Sequence, residues 1–334
     1  MWPFIKPIKL IRYLLVLRVN GSLVRLPRCL PTELSLVVGT TIANRLPTRE
    51  ARPWRKALAP WDEHGGISLV GKKPGKVPDA SWPIETVLFV YPGKLTYGQG
   101  ELILWELKLM GKSADHGLFL EIILPALEEA GSISDPQWQR QNILWGRFDV
   151  HAIYVARGPR WEPVVSDGRL DLDYRATPVQ WAEGLTFDLR SERILDRLTW
   201  LTPFDLAGDA GAGGRRSSKK RIALHQVPTL QSILESLLAR MSLLLPGKHH
   251  TPDDIWNVLG AEERTAFQAV MEQASHIPNH HTDLKAAPKH WPAGWIGTQT
   301  FPSIPRPIIP HLELASILHI GKQTHFGCGT FVIN

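Results

Sequence analysis

Apolar residues fall along this chain in short runs of two kinds. Runs that alternate, or are solidly apolar over less than about ten residues, predict strands. They are residues 8–19, rich in Leu, Ile and Val, then Ile84–Pro92, Glu101–Gly111 and Trp145–Ala156. Runs spaced i, i+3, i+4 predict helices. Leu34, Val37, Val38, Ile42 and Leu46 lie near this spacing within Glu33–Leu46, although their β-branched content weakens the helical signal. Leu118, Phe119, Ile122, Ile123, Ala126 and Leu127 share a second helical face, with Pro125 as a kink and Gly131 as a stop. The order strand, helix, strand, strand, helix, strand is the plan of a ferredoxin-like unit, one sheet with two helices on one face.

The second half repeats that order without sharing a residue motif. Leu185–Arg190 is strand-like. Leu230, Ile233, Leu234, Leu237, Leu238 and Met241 line one helical face behind a Thr229 cap, and Thr251 opens another helix. Gly294–Phe301 reads as a strand, Ile308–His319 as a short helix and Gly329–Asn334 as the last strand. The expected class is α+β, two tandem ferredoxin-like domains (βαββαβ). Residues 1–160 form the first and 178–334 the second, with a Pro/Gly/Asp-rich linker at 158–178. Pro47–Pro83, rich in Pro, Arg and Trp, reads as an extended basic loop insertion in the first domain.

Composition narrows the function. The 334 residues are 43% hydrophobic, so the chain is globular. A formal charge of +6 and a pI near 9.3 lean toward a polyanionic partner, although many soluble proteins are this basic and bind no nucleic acid. Two cysteines, Cys29 and Cys328, make neither a disulfide framework nor a four-cysteine zinc site, and they suit a reducing cytoplasm. Among the histidines, His276 and His280 are four apart, but Pro278 breaks the helix that would align them. No metal or other cofactor is expected. At the N-terminus Arg18 cuts the apolar stretch short of a signal sequence, and no apolar stretch reaches the roughly 18 residues of a membrane span.

The segment HIGKQTHFGCGTF, His319–Phe331, joins the last helix to the last strand. Gly321, Gly327 and Gly329 have no Cβ to hold an anion away from backbone amides, Lys322 adds a charge, and His319 and His325 can stack or hydrogen-bond. The same letters suit a turn that merely packs tightly between helix and strand. The run Arg215, Arg216, Lys219, Lys220, Arg221 on a glycine tether suits a phosphate groove or a loop with no partner. Arg45, Arg49, Arg52, Arg55 and Lys56 suit RNA contact or a solvated face. Trp54, Trp61 and Trp82 suit base stacking or packing.

The closing motif, HIGKQTHFGCGTFVI, resembles the C-terminal signature of the CRISPR-associated RAMP superfamily, in particular its repeat-RNA processing endoribonucleases. GELILWELKLMG, TPFDLAGD, LQSILESLLARMSLLL and GWIGTQTF resemble other parts of that family, so the likeness covers roughly residues 84–334. It implies repeat RNA held along a cleft and basic faces, and cleavage without metal. The 2′-hydroxyl attacks the neighbouring phosphate, a 2′,3′-cyclic phosphate forms, and the 5′-oxygen leaves with a proton. It also implies an enzyme that stays on the crRNA and joins other effector-complex subunits. The family's catalytic histidine commonly lies on or just after the first helix; here Glu33–Leu46 has none. The candidates are His64 in WDEHGG, His116 at the start of the second helix, and Lys56 to steady the developing charge. Without a reactive histidine the chain would be a silent RAMP subunit that only binds crRNA.

Overall fold

The computed structural model describes residues 2–63, 81–132, 144–166, 168–185, 194–206, 227–247 and 251–334. The chain divides into two units: residues 9–183, and residues 184–334 together with 1–8.

In the first unit β1 (Leu10–Val19) leads through β2 (Leu23–Arg25) to α1 (Leu30–Arg45) and α2 (Thr48–Glu63). Strands β3 (Thr86–Val90), β4 (Thr96–Gly98) and β5 (Leu102–Met110) follow, then helix α3 (116–132), β6 (Phe148–Arg157), β7 (Arg160–Ser166) and β8 (Arg169–Leu170). The sheet order is β3-β5-β1-β6-β7-β8, antiparallel throughout; its first four strands have the ferredoxin-like order. Strands β2 and β4 pair separately. Ile11, Tyr13, Leu15 and Leu17 point to the helices, where Val37, Val38, Ile42, Phe119 and Leu127 complete the core. Pro125 has no N–H for the Glu121 carbonyl, and the turn before it, Phe119–Ile123, is a wider π turn.

Two sequence expectations fail here. The stretch 47–83 is not loop throughout, because α2 runs from Thr48 to Glu63 with Pro53 and Pro60 inside it. Each proline removes one helical hydrogen bond, but Ala51, Trp54 and Leu58 bury one stripe, and the strong helix formers around them offset the loss. The region 158–178 is not a linker either. Gly158 and Pro159 are the two-residue turn of a β6–β7 hairpin, and Val164 and Val165 enter the core, so the division between units falls at Gly184. Gly158 has φ +55°, and a Cβ there would lie 1.6 Å from the Glu183 carbonyl oxygen.

The second unit contains β9 (Arg197–Trp200), α4 (Leu230–Leu244), α5 (Pro252–Val258), α6 (Ala261–Ser275), β10 (His281–Ala286), β11 (Trp295–Thr300), α7 (Ile309–Leu318) and β12 (Phe331–Ile333). Its sheet order, β10-β11-β9-β12, repeats the ferredoxin-like plan. The predicted stripe of α4 is buried in full, and Ser232 N–H donates to Thr229 Oγ1 at 3.1 Å to cap it. Strand β10 has no sequence signal, since HTDLKA buries only Leu284. The N-terminal residues join this unit: Phe4 stacks on Phe267 at 5.0 Å and meets His311 at 4.8 Å. The strand-like reading of Leu185–Arg190 falls mostly outside the described residues.

Candidate nucleic-acid interface

The glycine turn begins where α7 ends. His319 stops the helix with φ +57°, rare for a residue bearing a Cβ. Its side chain is fully buried, and Nδ1 lies 3.2 Å from the Gly327 carbonyl oxygen and 3.1 Å from that of Cys328. The turn's amides at 320, 322, 326, 327 and 329 are spent within the protein. Ile320 N–H donates to the Gly329 carbonyl at 3.0 Å, Lys322 N–H to Asp205 at 2.8 Å, and Gly329 N–H to Pro203 at 3.0 Å. Phe326 and Gly327 N–H close local turns on the carbonyls of Gln323 and Thr324. Gly321 and Gly329 have φ +87° and +82°; a Cβ would lie 2.3 Å from the Asp205 carbonyl oxygen and 1.9 Å from that of Ile320. These glycines permit protein backbone to approach protein backbone.

This corrects the reading of the turn as a backbone-amide cradle. His319, His325, Gly327 and Gly329 are buried, and Gly321 is half-buried. Lys322 is exposed and is the cation this turn offers to solvent. Three motif fragments meet here: Pro203 and Asp205 accept the turn's amides, and Phe204 and Trp295 exchange backbone hydrogen bonds at 2.8 and 3.2 Å. Gly294 N–H donates to Asp205 Oδ1 at 3.0 Å. Arg240 of α4, itself buried, donates to the Leu318 carbonyl at 3.2 Å and caps α7. The signature is the tie that holds helix α7, strand β12 and the loop after β9 together.

The cations of α2 are arranged differently. Arg49, Arg52 and Lys56 recur at i, i+3 and i+7, with Arg55 beside them, and all four are exposed. The opposite side docks on α1. Trp54 meets Trp82 at 5.4 Å, and Trp82 donates from Nε1 to the Ser35 carbonyl at 2.8 Å. Trp54 and Trp82 are therefore packing residues, because burial at 5% and 3% exposure leaves no face for a base. Trp61's side chain lies outside the described residues. Arg45 is exposed and pairs with Glu129 at 2.5 Å.

Of the catalytic candidates, Lys56 is on the α2 stripe. His64, like Arg215, Arg216, Lys219, Lys220 and Arg221, lies outside the described residues. His116 is buried at 8% exposure, its Nδ1 2.8 Å from Tyr13 Oη and its ring stacked on that of Tyr13. Burial lowers its pKa against a smaller opposing pull from the Tyr174 backbone, so it is held neutral as a link between β1 and α3. That geometry gives His116, a catalytic candidate from the sequence, a packing role in the core. Among the described residues no group of three or more His, Cys, Asp or Glu is placed to hold a metal ion.

Sequence reading passed over one charged group. On the sheet face away from the helices, Arg12 Nε bonds Glu106 Oε1 at 2.6 Å, Lys108 Nζ lies 3.9 Å from the same oxygen, and Tyr91 Oη donates to Glu106 Oε2 at 3.2 Å. Burial alone would raise the Glu106 carboxyl; the Arg12 and Lys108 charges and the Arg12 and Tyr91 hydrogen bonds outweigh it and hold the group below its ordinary range. The legible signal was Arg12 inside an apolar strand opposite a Glu-x-Lys pair in LILWELKLM.

Residues 198–331 match the model of the CRISPR-associated endoribonuclease Cas6 family. Comparison with curated proteins finds no match. Among solved structures, the chain superposes on a partial Cas6-RT-Cas1–Cas2 complex with a TM-score of 0.50 and 15% identity, over 98% of this chain and 46% of that one. A Cas6-RT-Cas1–Cas2 complex gives the same score and identity, with 29% of that chain covered. A Cas6 product complex matches at 0.44 and 16%, over 97% and 100%. The chain thus spans less than half the length of the first two, and identity this low speaks for the fold alone. The stretch that resembles the Cas6 family, residues 198–331, holds the glycine turn, strands β10 and β11, and parts of β9 and β12.

Proposed function

We propose that this chain binds CRISPR repeat RNA and cuts it, serving crRNA maturation. The observation that carries the reading is the family match over 198–331, a stretch that includes the glycine turn. The cut is a transesterification. The 2′-oxygen bonds to phosphorus, the P–O5′ bond breaks, a 2′,3′-cyclic phosphate remains, and the 5′-oxygen takes a proton. RNA supplies the nucleophile, so DNA is inert. Positive charge on the crowded phosphate comes from the α2 stripe, with Lys56 nearest the end of α2 that leads to His64, the proton-exchanging group. Lys322 and the 215–221 run add phosphate contacts. The product crRNA stays bound, and the partners are other CRISPR proteins, as in the complexes that share the fold.

A second reading is a subunit that binds crRNA without cutting it. It is favoured by the histidine-free first helix and the buried His116. Purified protein incubated in EDTA with CRISPR repeat RNA separates the two. A discrete cut ending in a cyclic phosphate, lost in His64→Ala, supports the enzyme. Tight binding with intact RNA supports the silent subunit. Absence of RNA binding at low salt defeats both.

A further inference from the structure

The two edges of the second unit's sheet are finished differently. At the β12 edge, α7 takes up the outward backbone groups of Phe331. Ser316 Oγ donates to the Phe331 carbonyl at 2.5 Å and accepts from its N–H at 3.3 Å. Strand β10 is the other edge, and among the described residues β11 is its one neighbour in the sheet. Its register runs unbroken from His281 opposite Thr300 to Ala286 opposite Trp295, with no bulge and no proline. Which of its backbone groups face outward follows from the flanking bonds. Ala287 N–H donates to the Gly294 carbonyl at 2.7 Å, while Trp295, opposite Ala286, exchanges its bonds with Phe204 on the far side. Antiparallel bonds alternate, so His281, Asp283 and Lys285 bond β11, and Thr282, Leu284 and Ala286 aim N–H and carbonyl away from the sheet. A row of that kind is a template for a further strand.

The side chains decide which strand fits. His281, Asp283 and Lys285 share one face and are exposed, while Leu284 on the other face is buried. Neither Asp283 nor Lys285 has an ion-pair partner among the described residues. Charges on an edge strand ordinarily deter pairing. The run Asp283-Leu284-Lys285 is instead complementary to itself. Laid antiparallel about Leu284, each Asp283 meets the Lys285 of a second copy, and Leu284 meets Leu284. Shifting the axis by one residue sets Asp283 on Asp283 or Lys285 on Lys285, so charge selects a single register. That register also satisfies the backbone. Leu284 bonds its counterpart, and Thr282 bonds the second copy's Ala286. The Asp–Lys pairs then fall at the sites without hydrogen bonds, where opposed side chains come closest.

We infer that β10 is a docking edge for β10 of a second copy of this chain, joining the two second-unit sheets antiparallel into one continuous sheet. The inference is independent of the proposed cleavage and uses no residue assigned to it. A contact one strand wide is smaller than a standard interface of about 1,600 Å². The dimer therefore forms reversibly with concentration, and salt weakens it by screening its exposed ion pairs.

The test is sedimentation of the full chain at low salt, from about 1 to about 100 μM. The parent should show a monomer–dimer equilibrium. Asp283→Lys and Lys285→Asp each set like charges across both pairs, and each alone should weaken the dimer at least about tenfold. An equal mixture of the two variants has opposite charges at every pair again. It should dimerise as the parent does, which also shows that both variants fold. Ala286→Pro removes an outward N–H and spares the bonds to β11, and it should weaken the dimer about tenfold. A parent that stays monomeric throughout overturns the inference. A dimer that all three changes leave intact lies elsewhere on the molecule and overturns it too, as does a mixture that fails to pair.

Discussion

The glycine turn and the α2 stripe are both cationic on paper, and they behave as opposites in the structure. The turn spends the amides of Ile320, Lys322, Phe326, Gly327 and Gly329 on Pro203, Asp205 and its own carbonyls, folds its histidines inward, and leaves Lys322 outside. The stripe keeps its apolar side against α1 and turns Arg49, Arg52, Arg55 and Lys56 to solvent. A motif that identifies a family is therefore not by that fact its binding surface. Glycine at positive φ reports a close approach; the partner is read from what lies at the missing Cβ, and here that is the protein's own carbonyls.

The largest expected effect tests the turn as architecture. Gly329→Ala places a Cβ against the Ile320 carbonyl at φ +82° and should cost about 4 kcal/mol or more in denaturant unfolding. A variant as stable as its parent would end the contrast, because the turn would then have room for a ligand. Next comes acid sensitivity in the helix that feeds the turn. Burial of His311 in α7, opposed only by the Pro307 carbonyl, lowers its pKa from the ordinary 6.5 to about 4. The unfolded chain then takes up the proton first. This stability is fully present above pH 6.5 and is lost as pH falls from there toward 4, by about 3 kcal/mol at most. His311→Leu should flatten that part of the stability–pH curve; an unchanged curve would assign the acid loss elsewhere.

Third is the stripe. Arg49→Ala, Arg52→Ala and Lys56→Ala together should weaken RNA binding about a hundredfold at physiological salt and lower the log–log salt slope by between 2 and 3, roughly 0.7–0.9 per phosphate contact. Thermal melting should barely move, since all three are exposed. Undiminished affinity would make α2 an ordinary solvated helix. The smallest effect belongs to Lys322→Ala, expected to weaken binding about fivefold and to change stability by less than about 0.5 kcal/mol. A loss as large as that of the triple change would move the interface back to the turn.

The letters of the chain already held much of this. Alternation and helical spacing placed the main strands, α1, α3, α4 and α7, and their order alone gave two units of one plan, because side-chain period follows backbone geometry and needs no neighbour to be read. The closing motif gave the resemblance, and it lies within the stretch 198–331 that matches the Cas6 family model. Local pattern could not reveal that Pro53 and Pro60 sit inside a helix, since the burial of Ala51, Trp54 and Leu58 that stabilises α2 is a contact with distant residues. Nor could it tell a hairpin turn at Gly158 from a linker, or find β10, whose polar sequence is a strand only because β11 supplies its hydrogen bonds. The roles of the histidines and glycines were likewise decided in three dimensions. A glycine's missing side chain and a histidine's proton mean nothing until the atoms packed against them are known, and for His116 and Gly329 those atoms include Tyr13, 103 positions from His116, and Pro203, further still from Gly329.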